Sequence, residues 1–401
     1  MRNLIILRGA PGAGKSTFIQ KWDLGAYTLC GDSIREKYES PVMDDRRGKP
    51  ALSMTHDKEV WAFVMQRLEE RMERGELLVV DATHTNPKDF NKYKVLCDKY
   101  RYKAYCVTFS DVPIETCKER NLKRSAYKHV PDDVIDKMCD RLKTNPVPNY
   151  FTCISHDDDE KIAAIVGDVA PVDVNQYEKV VVFGDIHGCF DPLKEYFDKN
   201  LYSENTLYIF TGDYTDRGLQ NKEVLEFLIP LCVRPNVVML EGNHEHWVLN
   251  YLRGDYNDDI AKGSPSDNCS GTFFYKTIPQ ISSVDKKGMF RMYTRLGAFY
   301  YFTFGGKRYF VNHAGIGFMY PQLQRVKATM FTTTRSDGRS YSDPVDLWFE
   351  EHELENNPEL FQIHAHRNTD MLPIRASKNS FNLCDSIERG GNLRILEITK
   401  D

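Results

Sequence analysis

Three compact polar signatures, each placed directly behind an apolar run, constrain this chain more than anything else in it. They read Gly184-Asp185-Ile186-His187-Gly188, then Gly212-Asp213-Tyr214-Thr215-Asp216-Arg217-Gly218, then Gly242-Asn243-His244-Glu245. The runs before them, 180–183, 207–210 and 237–240, have the length and composition of buried strands. Their polar residues therefore sit where strands end, and three strand ends can converge on one point. Asp185 and His187 stand two apart, so in extended backbone both side chains point the same way. Asp213 has lone pairs for two cations, and Asn243 adds a neutral oxygen suited to an anionic substrate. The set needs further histidines. Residues 309–312 lead to His313, and 361–363 lead to His364-Ala365-His366. Hard and borderline donors without thiolate favour Mn²⁺, Fe, Ni²⁺ or Zn²⁺ over a structural zinc. The pattern predicts a hydrolytic centre with two divalent ions.

The N-terminal third makes a second, different prediction. A short β-type run at 3–7 opens into Gly9-Ala10-Pro11-Gly12-Ala13-Gly14-Lys15-Ser16-Thr17, with a helix predicted over 17–22. This is the phosphate-cradling loop in its proper strand–loop–helix setting. Gly9, Gly12 and Gly14 let successive backbone N–H groups face phosphates, Lys15 reaches toward them, and Ser16 can ligate Mg²⁺. Further strand runs at 27–30, 77–80, 104–109 and 151–154 alternate with helical periods such as 56–74. That alternation predicts a parallel sheet with ligands at the strand C-termini. Asp32 and Arg35 follow the second run, and Asp81 closes the third. From spacing alone each Asp could equally cap a helix. The basic run Lys118–Arg124, containing Arg120, could be a solvated helix face or a lid over phosphates.

Both halves thus read as α/β. The expected division is a nucleotide-binding domain at 1–155, a linker at 156–177 with a short helix near 160–166, and a metal-dependent domain at 178–401. No motif marks 251–283, which reads as an insertion that could shape substrate choice. With 53 Lys+Arg against 58 Asp+Glu the net charge is −5, so no global basic field attracts polyanions. Nucleic-acid binding must come from local clusters. Ten scattered cysteines without a Cys-x-x-Cys pair fit reduced thiols in a cytoplasmic protein. The apolar start is too short for a signal peptide and no run is long enough to span a bilayer, so no membrane partner is expected.

Two family resemblances follow from these motifs. Gly9–Ser16, Asp32-x-x-Arg35, Asp81-x-Thr-x-x-Asn-Pro and Arg120-Asn-x-x-Arg124 together resemble the 5′-hydroxyl polynucleotide kinases of phage and bacterial end-healing enzymes, over roughly residues 1–150. The resemblance implies ATP with Mg²⁺ as cofactor, bound by Gly9, Gly12, Gly14, Lys15, Ser16, Thr17, Arg120 and Arg124. It implies Asp32 as general base toward a ribose 5′-OH, Arg35 on a phosphate of the nucleic-acid end, Asp81 as a supporting acceptor, and Lys15 and Arg124 as charge stabilisers. The motifs of the second half resemble the calcineurin-like metallophosphoesterases, in the branch that holds serine/threonine phosphoprotein phosphatases and bacterial end-healing phosphatases. By motif position Asp185, His187 and Asp213 would hold one metal, and Asp213, Asn243, His313 and His366 the other. Mn²⁺ is the expected ion. Arg217 would bind the substrate phosphate and His244 would serve the leaving oxygen. Ala365-His366-Arg367 departs from the family's usual Gly-His-Thr. Asp385, before Gly390-Gly391, matches a segment in which an Asp supports the metals.

A chain pairing these two activities resembles a bifunctional polynucleotide kinase-phosphatase that heals RNA ends. It would phosphorylate 5′-OH termini and remove 3′-phosphate or 2′,3′-cyclic phosphate, with RNA favoured over DNA. Because the sequence stops at Asp401 without a ligase segment, sealing is expected from a separate RNA ligase, and self-association is compatible with the reading. The alternative is a small-molecule or nucleoside kinase joined to a protein or dinucleoside-polyphosphate phosphatase.

Overall fold

The computed structural model describes residues 2–45, 48–255, 271–334, 339–367 and 374–400. Of the 251–283 insertion, 256–270 lie outside these, while Phe273–Ile281 is helical and places Phe273 and Ile281 in the second unit's core. The chain divides into two compact units, Met1–Val169 with Pro321–Ala328, and Ala170–Tyr320 with Thr329–Asp401. Among the described residues, no helix is long and apolar enough to cross a membrane.

The first unit is built on a five-stranded, all-parallel sheet in the order Thr28–Cys30, Leu78–Asp81, Asn3–Arg8, Lys103–Thr108, Thr152–Ser155. A parallel sheet must be covered on both faces, which is why its central strands carry consecutive apolar residues such as 4–7 and 78–80. Alternation divides the strand Asn3–Arg8 between two cores. Ile5 and Leu7 pack with Ile135, Leu142 and Ile162 on one face, while Leu4 and Ile6 pack with Leu68, Met72 and Tyr93 on the other. Of the stretch expected as a linker, Asp159–Val166 is a helix whose Ile162, Ile165 and Val166 belong to this core.

Eight residues from far along the chain complete this unit. In Pro321–Ala328, Leu323 is buried and the Gln324 Oε1 accepts from the Asn3 amide at 3.1 Å. Arg325 donates to the backbone oxygens of Val166 (2.8 Å), Trp22 (2.8 Å) and Asp23 (3.1 Å), and so caps the end of helix Lys15–Lys21. Ala328 lies so close to Gly75 that a Cβ there would sit 2.5 Å from its methyl group. Arg325→Ala strands three carbonyls and is expected to destabilise the first unit by about 2–4 kcal/mol, read as faster hydrogen exchange throughout that unit.

The second unit packs two sheets face to face. One runs Val237–Met239, Thr206–Phe210, Lys179–Phe183, Ile395–Thr399, with the last strand antiparallel. The other runs Ser380–Asn382, Leu360–His364, Lys307–Asn312, Phe299–Phe304, Val172–Asp173. Val180, Val182, Leu207 and Ile209 meet Phe302, Phe304, Val311 and Ile363 between the sheets. The alternate residues Val181, Phe183, Tyr208 and Phe210 face helices that supply Leu193, Leu225 and Leu228. Strand C-termini from both sheets carry the polar motifs.

Candidate functional site

In the second unit the loops after five strands deliver Asp185 and His187, Asp213, Asn243 and His244, His313, and His366. Asp213 is the hub. Its Oδ2 lies 3.5 Å from His187 Nε2, 3.4 Å from His313 Nε2 and 3.8 Å from His244 Nε2. His313 Nε2 is also 3.1 Å from Asn243 Oδ1 and 3.0 Å from His366 Nδ1, while its Nδ1 is 3.6 Å from Asp185 Oδ1. The donor atoms form two overlapping groups, His187–Asp213–His244 and Asp213–His313–His366, and all of these residues are buried. Burial opposes ionisation of Asp213, yet the surrounding imidazoles of His313, His244 and His187 hold its carboxyl well below the ordinary value. Burial, with the His313 charge beside it, pushes His366 well down and so favours the neutral, lone-pair-bearing ring.

The residues present fit divalent ions. Asp185 Oδ1 and His187 Nδ1 are buried without a hydrogen-bond partner, in a pocket already crowded with imidazole nitrogens. Such atoms are costly unless something positive engages them. The backbone is held to the same end. His187, Asp213, Asp216, Arg217 and His366 all adopt positive φ, between 45° and 80°, a region non-glycine residues avoid unless the surroundings enforce it. A Cβ on Gly242 would sit 2.2 Å from Asp213 Oδ1, so only glycine lets the two loops approach this closely.

Several side chains that the motifs contained but did not assign prove to position the others. Buried Glu245 accepts from the backbone N–H groups of Gly242 (2.6 Å), Asp213 (2.9 Å) and Tyr214 (3.1 Å), tying two loops together. Glu245→Gln loses the charge those donors share. It is expected to cost about 1–3 kcal/mol and to weaken Mn²⁺ binding measured by calorimetry. Asp216 Oδ2 takes His244 Nδ1 at 2.8 Å and Asp216 Oδ1 accepts from Thr277 at 2.9 Å, which turns His244 Nε2 toward the centre. Glu388, which no local signal marks, binds Arg217 Nη1 at 2.9 Å. The Arg217 guanidinium also lies 3.3 Å from His187 Nε2 and 3.1 Å from His244 Nε2, beside the metal-type cluster and one-third exposed.

Of the two candidates in His364-Ala365-His366, His364 points away, its Nε2 2.8 Å from Asp346 Oδ1. Asp385 is not brought to the cluster. Its Oδ2 accepts from the Asn392 backbone (3.0 Å) and side chain (3.1 Å), and its Oδ1 from Arg394 (3.0 Å). The neighbouring Cys384 thiol is the group that meets Asp185.

In the first unit the glycine loop joins strand Asn3–Arg8 to helix Lys15–Lys21. A Cβ on Gly12 would meet the Cys117 carbonyl oxygen at 2.1 Å, which seats the loop against helix Ile114–Leu122. Lys15 Nζ donates to Gly9 O (2.8 Å) and Ala10 O (3.1 Å), Arg120 reaches Ala13 O at 3.5 Å, and Ser16 and Thr17 lie exposed in the first turn. Burial lowers Lys15, while Asp81 and Asp32 act to raise it and Arg124 to lower it further, so all four charges share one neighbourhood. Half-buried Asp81 has one enclosed side-chain oxygen without a hydrogen-bond partner, a fit for a cation or its water shell. Asp32 Oδ1 accepts from Arg35 Nη1 at 2.8 Å, and Asp57, which the sequence did not single out, takes the other side of that guanidinium.

Comparison with known proteins fits this geometry. Residues 4–145 match the family model of an AAA domain, and residues 178–391 match that of the calcineurin-like phosphoesterases. The chain is similar to the serine/threonine-protein phosphatase PP1-delta of Caenorhabditis elegans, 41% identical over 81 residues, which are 20% of this chain and 27% of that protein. It is similar to the PP2A-like phosphatase PPG1 of Candida albicans, 27% identical over 180 residues, 43% of this chain and 38% of that one. The chain thus spans well under half the length of these relatives. A serine/threonine phosphatase structure from Saccharomyces cerevisiae shares 18% identity at a TM-score of 0.33, over 63% of this chain and 82% of its own. The first unit is a P-loop, kinase-like domain, and with more than half of its residues matched, the chain belongs to the calcineurin-like phosphoesterase family.

Proposed function

We propose that the chain heals nucleic-acid ends, RNA foremost: its first unit phosphorylates 5′-OH termini with ATP, and its second clears 3′-phosphate or 2′,3′-cyclic phosphate. The observation that carries this reading is the Asp32–Arg35 pair beside the phosphate loop. A carboxylate base next to an anion-binding guanidinium suits a hydroxyl flanked by a phosphodiester, and a free nucleoside offers Arg35 no phosphate. Asp32 accepts the proton of the 5′-OH as its oxygen attacks the γ-phosphorus of ATP and the bond to ADP breaks. Lys15 and Arg124 balance charge on the transferring group, and Ser16 holds Mg²⁺.

In the second unit Asp185, His187, Asp213, Asn243, His313 and His366 would hold two divalent ions, Mn²⁺ by preference, which supply Lewis-acid polarisation when bound. Arg217, fixed by Glu388, grips the substrate phosphate. As a water oxygen bonds to phosphorus, its proton passing to solvent, the ester P–O bond breaks and His244, fixed by Asp216, gives its Nε2 proton to the departing oxygen. A separate ligase would then join the healed ends.

Incubation with ATP, Mn²⁺ and an RNA bearing 5′-OH and 2′,3′-cyclic phosphate should yield 5′-phosphate and 3′-OH. Phosphorylation of free nucleosides but not of the RNA would overturn the kinase assignment. The protein phosphatases among the relatives favour a second reading, in which the metal centre acts on phosphoprotein. A phosphoserine peptide turned over faster than the RNA 3′-phosphate would decide for it.

A further inference from the structure

We infer that the exposed face of helix Lys286–Tyr293 is a track for the phosphodiester backbone of single-stranded RNA, extending the nucleic-acid reading beyond the catalytic residues. The helix is divided cleanly. Met289, Met292 and Tyr293 are buried in the second unit's core, while Lys286, Lys287, Phe290, Arg291 and, just past its end, Arg295 are exposed. The turn continues through that end, since Arg295 N donates to Met292 O at 3.0 Å. Lys287 and Arg291 are therefore four apart on one helix face, their Cβ atoms about 6 Å from one another, and Arg295, just past the helix end, continues that row.

Among the described residues no acidic side chain accounts for that line. The helix carries no acidic residue, and the one carboxylate at its start, Asp285, is occupied in capping the N–H groups of Lys287 and Gly288, each at 3.0 Å. Among the described residues no carboxylate pairs with Lys287, Arg291 or Arg295. In a chain of net charge −5, three cations on one anchored helix face with no acidic partner among the described residues are a local exception of the kind polyanion binding requires. Beside the line lies a cavity of about 300 Å³ lined by Leu252 and Phe290 together with Lys286, Lys287 and Arg291. Phe290 is 43% exposed, which leaves its ring accessible to stacking. An aromatic platform next to a row of cations is the arrangement that holds single strands without reading their sequence. A membrane surface fits less well, because a single exposed aromatic here gives little apolar area to bury in lipid.

The test is fluorescence anisotropy of a short fluorescein-labelled single-stranded RNA, across a salt series, without ATP or added metal. It compares the native protein with Lys287→Gln/Arg291→Gln/Arg295→Gln, whose thermal midpoint checks that the exposed substitutions leave the fold intact. Loss of three phosphate contacts should reduce the slope of log K against log[salt] by about 2 and weaken low-salt binding roughly tenfold or more. Phe290→Ala should weaken binding with the slope unchanged. Equal affinity and equal slope in the triple variant would overturn the inference. So would loss of binding to phosphatidylserine vesicles with RNA binding preserved, which would assign the face to a membrane. Because no turnover is measured, failure here leaves the end-healing activities standing, and their failure leaves this binding result standing.

Discussion

Asp213→Asn is expected to abolish phosphoester hydrolysis, by a factor on the order of 10⁴, while leaving kinase activity intact. The substitution keeps the volume of the side chain and an oxygen to accept from the His244 backbone N–H, now 3.0 Å from Asp213 Oδ1. It removes the one negative charge that three imidazoles surround at 3.4–3.8 Å. Both candidate metal groups contain Asp213, so its loss should affect both ions, whereas loss of His187 or His366 should affect one. Calorimetric titration with Mn²⁺ and turnover of p-nitrophenyl phosphate check the two halves of this expectation. Two ions bound with native affinity by the variant would show that Asp213 does not bridge.

The second large effect belongs to the other unit. Lys15→Ala should lower 5′-phosphorylation by roughly 10³-fold, the range seen when a preorganised charge donor is removed, with hydrolysis of p-nitrophenyl phosphate unchanged. Lys15 Nζ rests on the Gly9 and Ala10 carbonyls of its own loop, 2.8 and 3.1 Å away, and so already stands in the phosphate cradle. The buried site lowers its pKa, which burial alone would do, but Asp81 and Asp32 act against that and favour the charged form. End-labelling of a 5′-OH RNA with γ-labelled ATP measures the loss. Disappearance of both activities together would refute two separate sites.

Much of this was legible in the sequence because chemistry and fold coincide at strand ends. Apolar runs such as 3–7, 180–183 and 207–210 can only be buried strands, and the polar residues that follow them must emerge at the sheet's edge. The antiparallel strand Ile395–Thr399 and the strand Phe299–Phe304 carry no motif, and the pairing that gives them meaning is with residues far away in the chain. Asp385 shows the same limit at a single residue. Its place in a motif-like segment before Gly390-Gly391 suggested support for the metals, but Arg394, nine residues on, takes one of its oxygens. Glu388 lacked any local pattern, and its role exists only through Arg217, 171 positions earlier. The positive φ angles of His187, Asp213 and His366 are equally invisible in one dimension, since nothing in their identity announces them.

The eight residues Pro321–Ala328 have a consequence for how such a protein can be taken apart. A fragment ending at Val169, the natural place to cut between the two motif sets, would lack part of its own fold: the Leu323 plug, the Gln324 amide on Asn3, and the Arg325 cap on the helix that starts at Lys15. The remaining fragment would carry a severed excursion whose apolar and cationic side chains have lost their sockets. Expression of the halves as separate polypeptides should therefore give poorly soluble material, and gene fission between them would not yield two working proteins. The chain carries two domains of different chemistry, a kinase-like one and a phosphoesterase one, and is a single heritable object in its topology.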